Sequence, residues 1–156
     1  MIVVLLGTNP YSFKRLACAV DELAGRRGWD VFMQTGYTVC NLSHCRSEPF
    51  IPLERVRELV FACDVLITQG GAGSIHEGLA AGKPVIAVPR RPELGESQDR
   101  QEDLVAALER QGRIIAVNDT KDLEEAIVVA RTFRAASAPA NYIPMLIGSY
   151  LERLQT

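Results

Sequence analysis

The chain predicts an α/β domain, a Rossmann-like doubly wound parallel sheet of about six strands, from three observations: short apolar runs without polar alternation, amphipathic stretches between them, and a glycine-rich turn leading from one run into a helix. The runs are Ile2 to Leu6, Val31 to Met33, Val65 to Ile67, Val85 to Val88 and Ile114 to Val117, and a weaker run near Phe50-Ile51 is the candidate for a sixth. Runs this short and this uniformly apolar read as parallel strands buried on both faces.

Between the strands the apolar residues take helical spacing. Phe13, Leu16, Ala17, Val20, Leu23 and Ala24 form one stripe, and Leu53, Val56, Leu59, Val60 and Cys63 form another, each opposite a charged face. Leu104, Ala107 and Leu108 continue the pattern. Leu123, Ala126, Ile127 and Ala130 follow in a segment that Asp119 or Thr120 would cap. Right-handed crossovers then put the ligand site beyond the carboxyl ends of the strands, where the winding reverses between the first and fourth. The loops in question are Gly7 to Ser12 and Gln69 to Ser74.

Composition narrows the class. The 156 residues, 47% hydrophobic and 23% charged, suffice for one globular domain with a single core, and Gly and Pro are at average usage. A net charge of −2 supplies no cationic surface for a phosphate backbone, so nucleic acid is not an expected partner. No apolar run approaches the roughly 20 residues of a membrane span and the start carries no signal-like n-region, so a cytoplasmic, unprocessed chain is expected. Cys18, Cys40, Cys45 and Cys63 read as free thiols. Cys40, His44 and Cys45 lie close in sequence but lack a CxxC pair and a fourth ligand, so no metal site is expected.

Gln69-Gly70-Gly71-Ala72-Gly73-Ser74 joins a buried strand to a helix. Its glycines let a ligand approach the backbone, and free N–H groups with the positive end of the helix dipole would stabilise a diphosphate. It is neither a dinucleotide fingerprint, which belongs after the first strand, nor a P-loop, since no GKS or GKT follows. Packing alone is the competing account of the glycines. Ser74 and Glu77 have the S-x-x-E spacing of a capping box, which would occupy Glu77 structurally; the alternative is that Glu77 accepts hydrogen bonds from both hydroxyls of a ribose.

The stretches Ile67 to Glu77 and Gly82-Lys83-Pro84-Val85-Ile86-Ala87-Val88-Pro89 resemble the C-terminal, donor-binding domain of family 28 glycosyltransferases, one half of a GT-B enzyme. Gly7-Thr8, Phe13, Arg15-Leu16 and Gln34-Thr35-Gly36 extend the resemblance to the small subunits of split enzymes that build bacterial exopolysaccharide and dolichol-linked chitobiose. The resemblance implies that Gly71, Ala72, Gly73 and Ser74, with Gly7 and Thr8, bind the diphosphate of a UDP-sugar. It implies that Glu77 holds the ribose and that Gln101, Arg100 and Gln69 face the donor sugar or phosphate. Related small subunits often carry histidine at the positions of Gln69 and Arg100, which leaves the donor sugar open. Arg90 and Arg91 read as a solvated loop pair, the alternative being that they screen the diphosphate.

The implied reaction is inverting and metal-independent, with no cofactor beyond the UDP-sugar substrate. The acceptor, a lipid-linked sugar, would be presented by a separate membrane-anchored subunit, leaving this chain peripheral to the inner membrane face. His44 and His76 read as structural or solvated, so the general base is expected on that partner. Residues 1–137 form the expected binding domain. Residues 138–156, with the stripe Ile143, Leu146, Ile147, Tyr150, Leu151 and Leu154, form either a helix folded back on the sheet or a docking element, which would also permit homo-oligomers. Two competitors remain: a nucleoside-monophosphate phosphoribohydrolase of the lysine-decarboxylase-like group, which shares a Gly-Gly-x-Gly-Thr-x-x-Glu motif, and a non-catalytic UDP-binding subunit.

Overall fold

A computed structural model describes residues 1–137. The C-terminal stripe from Ile143 to Leu154 lies outside the described residues. Six parallel strands form one sheet in the order β3-β2-β1-β4-β5-β6. They are β1 (Ile2–Leu5), β2 (Val31–Gln34), β3 (Arg46–Glu48), β4 (Val65–Gln69), β5 (Val85–Val88) and β6 (Ile115–Ala116). The helices are α1 (Lys14–Arg27), α2 (Leu53–Ala62), α3 (Ala72–Ala80), α4 (Glu102–Arg110) and α5 (Leu123–Ala130). This is the expected doubly wound sheet, with its reversal between β1 and β4, paired in register from Ile2 with Val65 to Leu5 with Thr68.

Alternation along β1 separates the two layers. Ile2, Val4 and Leu6 pack with Phe13, Leu16 and Val20 of the α1 region and with Leu123 and Ile127 of α5. Val3 and Leu5 pack on the other side with Val60 of α2, Ile75 of α3 and Leu104 and Leu108 of α4. Asp119 accepts the N–H of Lys121 at 3.0 Å and so caps a short 3₁₀ turn, Thr120–Asp122, that feeds α5.

The sixth strand differs from the expectation. It is Arg46–Glu48, not Phe50-Ile51, and all three of its residues are exposed. An edge strand with one solvated side needs no apolar run, and its charges discourage pairing with another chain. Phe50 is displaced to the rim, where its ring meets Tyr37 edge-on at 5.0 Å.

Close packing sets α3 against the sheet. A Cβ on Gly78 would fall 2.5 Å from Val85 Cγ2 and 2.6 Å from Leu66 Cδ2, so only glycine allows this approach. Asp21 performs a similar anchoring on the other layer. It accepts the backbone N–H groups of Ser43, His44 and Cys45 at 2.8 to 3.0 Å. Burial raises its pKa, but these hydrogen bonds outweigh burial and the net displacement is downward. Among the described residues no group of three or more His, Cys, Asp or Glu side chains could hold a metal ion, and no helix is long and apolar enough to cross a membrane.

Candidate functional site

A cleft of about 350 Å³ opens where the winding reverses. Its polar wall is Gly7, Thr8, Gln34, Gln69, Gly71, Gly73, Ser74 and Glu77, and its apolar wall is Leu5, Phe50, Ile51, Leu53 and Val56. Seven residues expected at the site therefore meet there: Gly7, Thr8, Gln69, Gly71, Gly73, Ser74 and Glu77. Ala72 packs partly into the core behind the loop and can contribute only its N–H.

The helix cap decides one open reading. Gly71 is the N-cap of α3, and no side chain caps the helix. Ser74 is thus the third helical residue, and the capping-box reading of Ser74 and Glu77 is corrected. Among the described residues, the N–H groups of Ala72, Gly73 and Ser74 have no protein acceptor; the first amide bonded is that of Ile75, to Gly71 O at 3.3 Å. Glu77 lies one turn further in. Its two carboxylate oxygens take Arg57 Nε at 3.1 Å and Nη2 at 3.2 Å.

The glycines separate by role. A Cβ on Gly70 would sit 2.7 Å from Gln101 Cβ and 2.9 Å from Val105 Cγ2, so Gly70 is required by packing. At Gly73 the same atom would meet nothing within 4 Å. Neither sterics nor a positive φ accounts for glycine there. Gly7, at φ +76°, adopts a conformation that other residues disfavour. Gln34 clamps its peptide, accepting from Gly7 N at 3.0 Å and donating to Gly7 O at 3.2 Å. Gly36 must also be glycine, because a Cβ would fall 2.2 Å from Gly7 O. The Gln34-Thr35-Gly36 motif thus holds the first loop.

Two expected donor contacts lie elsewhere. Gln101 does not line the cleft. Its Oε1 accepts Gly70 N and Arg90 N, each at 3.0 Å, tying the loop after β4 to the loop after β5. Arg100 is exposed and ion-paired with Glu102 at 3.6 Å. Both histidines are exposed and outside the cleft, with the His44 ring packed against Gly25.

Arg90 corrects the reading of a solvated pair. It is 1% exposed. Its guanidinium donates to Gln69 Oε1, Tyr11 O, Glu96 O and Leu6 O, at 2.5 to 2.8 Å, and lies 4.6 Å from the centre of the Phe13 ring. Burial pulls its pKa down to about 10, partly opposed by Glu96. Arg91 is half-buried and donates to Asn118 O at 2.5 Å. Sequence reasoning had no signal for the burial of Arg90, since its acceptors come from the loops after β1 and β5 and from the end of β4.

The open cleft at the carboxyl edge thus has free helix amides, which can bind an anion, on one side and a carboxylate, which can accept from hydroxyls, on another. The chain belongs to glycosyltransferase family 28: residues 1–142 match the Glycosyltransferase family 28 C-terminal domain. The fold is that of one half of a GT-B glycosyltransferase. It is similar to the glycosyltransferase of kitacinnamycin, with 18% identity and a TM-score of 0.66 over 94% of this chain and 37% of that one. It is similar to the calicheamicin glycosyltransferase CalG4, with 17% identity and a TM-score of 0.61 over 93% and 35%. The spinosyn forosaminyltransferase SpnP gives 18% identity and a TM-score of 0.54 over 97% and 43%. The chain thus spans well under half the length of these solved enzymes. No curated protein matches it by sequence.

Proposed function

We propose that this chain is the donor-binding half of an inverting hexosyltransferase that moves a sugar from a UDP-sugar to a lipid-linked acceptor. The observation that carries the reading is Gly73: a residue with no packing or backbone reason to be glycine, beside three unbonded helix amides that open into the cleft. A diphosphate at those amides needs the absence of a side chain there.

The residues divide the donor between them. The N–H groups of Ala72, Gly73 and Ser74 bind the diphosphate, and the dipole of α3 stabilises the charge that grows on it as the anomeric bond breaks. Glu77, steadied by Arg57, accepts the ribose hydroxyls. The apolar wall of Leu5, Phe50, Ile51, Leu53 and Val56 takes the flat face of the uracil. No resident cofactor has a role in this scheme.

The acceptor hydroxyl needs a general base and a second wall, and neither exposed histidine faces the cleft. We assign both to an acceptor-binding half supplied by a membrane-anchored partner, so that turnover requires the pair and this chain works at the inner face of the membrane. Titration of the purified chain with UDP, UDP-N-acetylglucosamine, UDP-glucose, UDP-glucuronate, GDP and AMP tests the donor site, because a ligand that binds the folded state raises Tm. Selective stabilisation by uridine diphosphates supports the reading. Stabilisation by AMP alone would replace it with a phosphoribohydrolase.

A further inference from the structure

Gln69 is the last residue of β4, 9% exposed, with its amide group wedged between two glycines of the cleft. A Cβ on Gly7 would fall 2.1 Å from Gln69 Nε2, and one on Gly71 would fall 3.1 Å from it. A glutamine amide can be placed either way round, and the neighbours decide which end faces where. Here the decision is chemical. A guanidinium can only donate, and Arg90 Nε stands 2.5 Å from one end of the amide, so that end must be the oxygen. Gln101 Nε2, 3.5 Å from the same oxygen, agrees.

The consequence is that Nε2 is the end set beside Gly7 and Gly71 in the cleft wall, and among the described residues no acceptor takes its hydrogens. Arg90 cannot turn to release the amide. Three of its four remaining N–H groups donate to the carbonyls of Tyr11, Glu96 and Leu6, and Phe13 covers its face. The guanidinium therefore spans the loops after β1 and β5 and the end of β4, and fixes the polarity of one side chain in the site.

We propose that Arg90 is a positioning residue that acts through Gln69, turning the Gln69 amide so that its NH₂ group donates into the cleft to the anion bound at the N-terminus of α3. The inference rests on the donor-site reading and adds a seat for one phosphate oxygen opposite the helix amides. It also separates two kinds of substitution. Gln69→Glu keeps an acceptor for Arg90 but presents an oxygen, and a negative charge, to the anion. Gln69→Met keeps the volume and loses both polar ends.

The test is calorimetric titration of UDP and of inorganic pyrophosphate into the wild-type chain, Gln69→Glu, Gln69→Met, Arg90→Met and the Arg90→Met/Gln69→Met double variant. The expected loss is about tenfold for either methionine variant, the size of one hydrogen bond to a charged group, and more for Gln69→Glu. The double variant should bind no more weakly than the weaker single one, because both changes break the same link. Losses that multiply, or a Gln69→Glu variant that binds like wild type, would overturn the proposal. Should Arg90→Met fail to fold, the Gln69 pair decides alone, since a merely structural amide would tolerate glutamate beside Arg90. Pyrophosphate binding that depends on Gln69, in a chain that ignores UDP, would uphold this arrangement while removing the UDP-sugar reading. A wild-type chain that binds neither anion would remove both.

Discussion

Arg57 of α2 and Glu77 of α3 meet in a two-point ion pair beside the cleft, with distances of 3.1 and 3.2 Å. Hydrogen bonding to Glu77, with its negative charge, moves the Arg57 pKa further up. The pair joins two helices that pack on the same side of the sheet, and it leaves the carboxylate at the edge of the pocket rather than folded back on its own helix terminus.

Glu77→Gln separates binding from folding. Since Gly71 caps α3, the substitution removes no cap, and an ion pair with an arginine this exposed adds little to stability. Tm should stay within error of wild type. UDP affinity should fall about tenfold, because a ribose hydroxyl donates more strongly to a carboxylate than to an amide. Calorimetry and thermal denaturation on one preparation check both halves; a large drop in Tm would return Glu77 to a structural role.

Gly73→Ala and Gly70→Ala should diverge in sign. At Gly73 alanine meets no atom and is the better helix former, so stability should rise by up to about 1 kcal/mol while UDP binding is lost or much weakened. At Gly70 the added methyl presses on Gln101 and Val105, and overpacking of this kind costs about 1–3 kcal/mol. Urea unfolding of the two variants, followed by UDP titration, distinguishes the glycine that a ligand needs from the one that the fold needs.

How far the sequence discloses this arrangement depends on where each residue's partners lie. The apolar runs of β1, β2, β4 and β5 are legible because both faces are buried, and that alone fixes alternation, winding and the position of the cleft. β3 escapes notice because an exposed edge strand of Arg, Ser and Glu carries no hydrophobic pattern. Glu77 is found but ambiguous, since S-x-x-E fits a capping box equally well until Gly71 is seen to be the cap. Arg90 is the deepest miss. Charge in a loop suggests solvent, and only the folded chain brings the carbonyls of Leu6, Tyr11 and Glu96 around one guanidinium.

The thiols should react in a set order. Burial, then the nearby Asp21 charge and hydrogen bond, push Cys45 up to about 12; burial pushes Cys63 to about 11 and also raises Cys40. Cys18 is exposed. Because the thiolate is the reacting species, iodoacetamide near pH 8 should label Cys18 first and leave Cys45 and Cys63 largely unmodified in the folded protein. Peptide mass mapping over a time course reads this directly, and rapid labelling of Cys45 would contradict the closed setting around Asp21.

Acid stability should depend on Glu96. This buried carboxylate accepts Arg15 Nε at 2.9 Å, Arg15 Nη2 at 2.8 Å and Arg91 N at 2.9 Å. Burial alone would raise its pKa from 4.5, but the Arg15 and Arg91 hydrogen bonds and the charges of Arg15 and Arg90 outweigh it, so the folded value lies below 4.5. A carboxylate with a depressed folded value contributes stability that is fully present above its unfolded value and is lost as pH falls through the folded one. Wild type should therefore hold this contribution at neutral pH and shed it below about pH 4.5. Glu96→Gln should lose about 2 kcal/mol at pH 7, because a neutral amide replaces the charged acceptor opposite Arg15. Its stability should then fall less steeply from pH 5 downward, so that the two urea-derived stability curves converge in acid. Parallel curves over that range would mean that the Arg15–Glu96 bridge contributes nothing in solution.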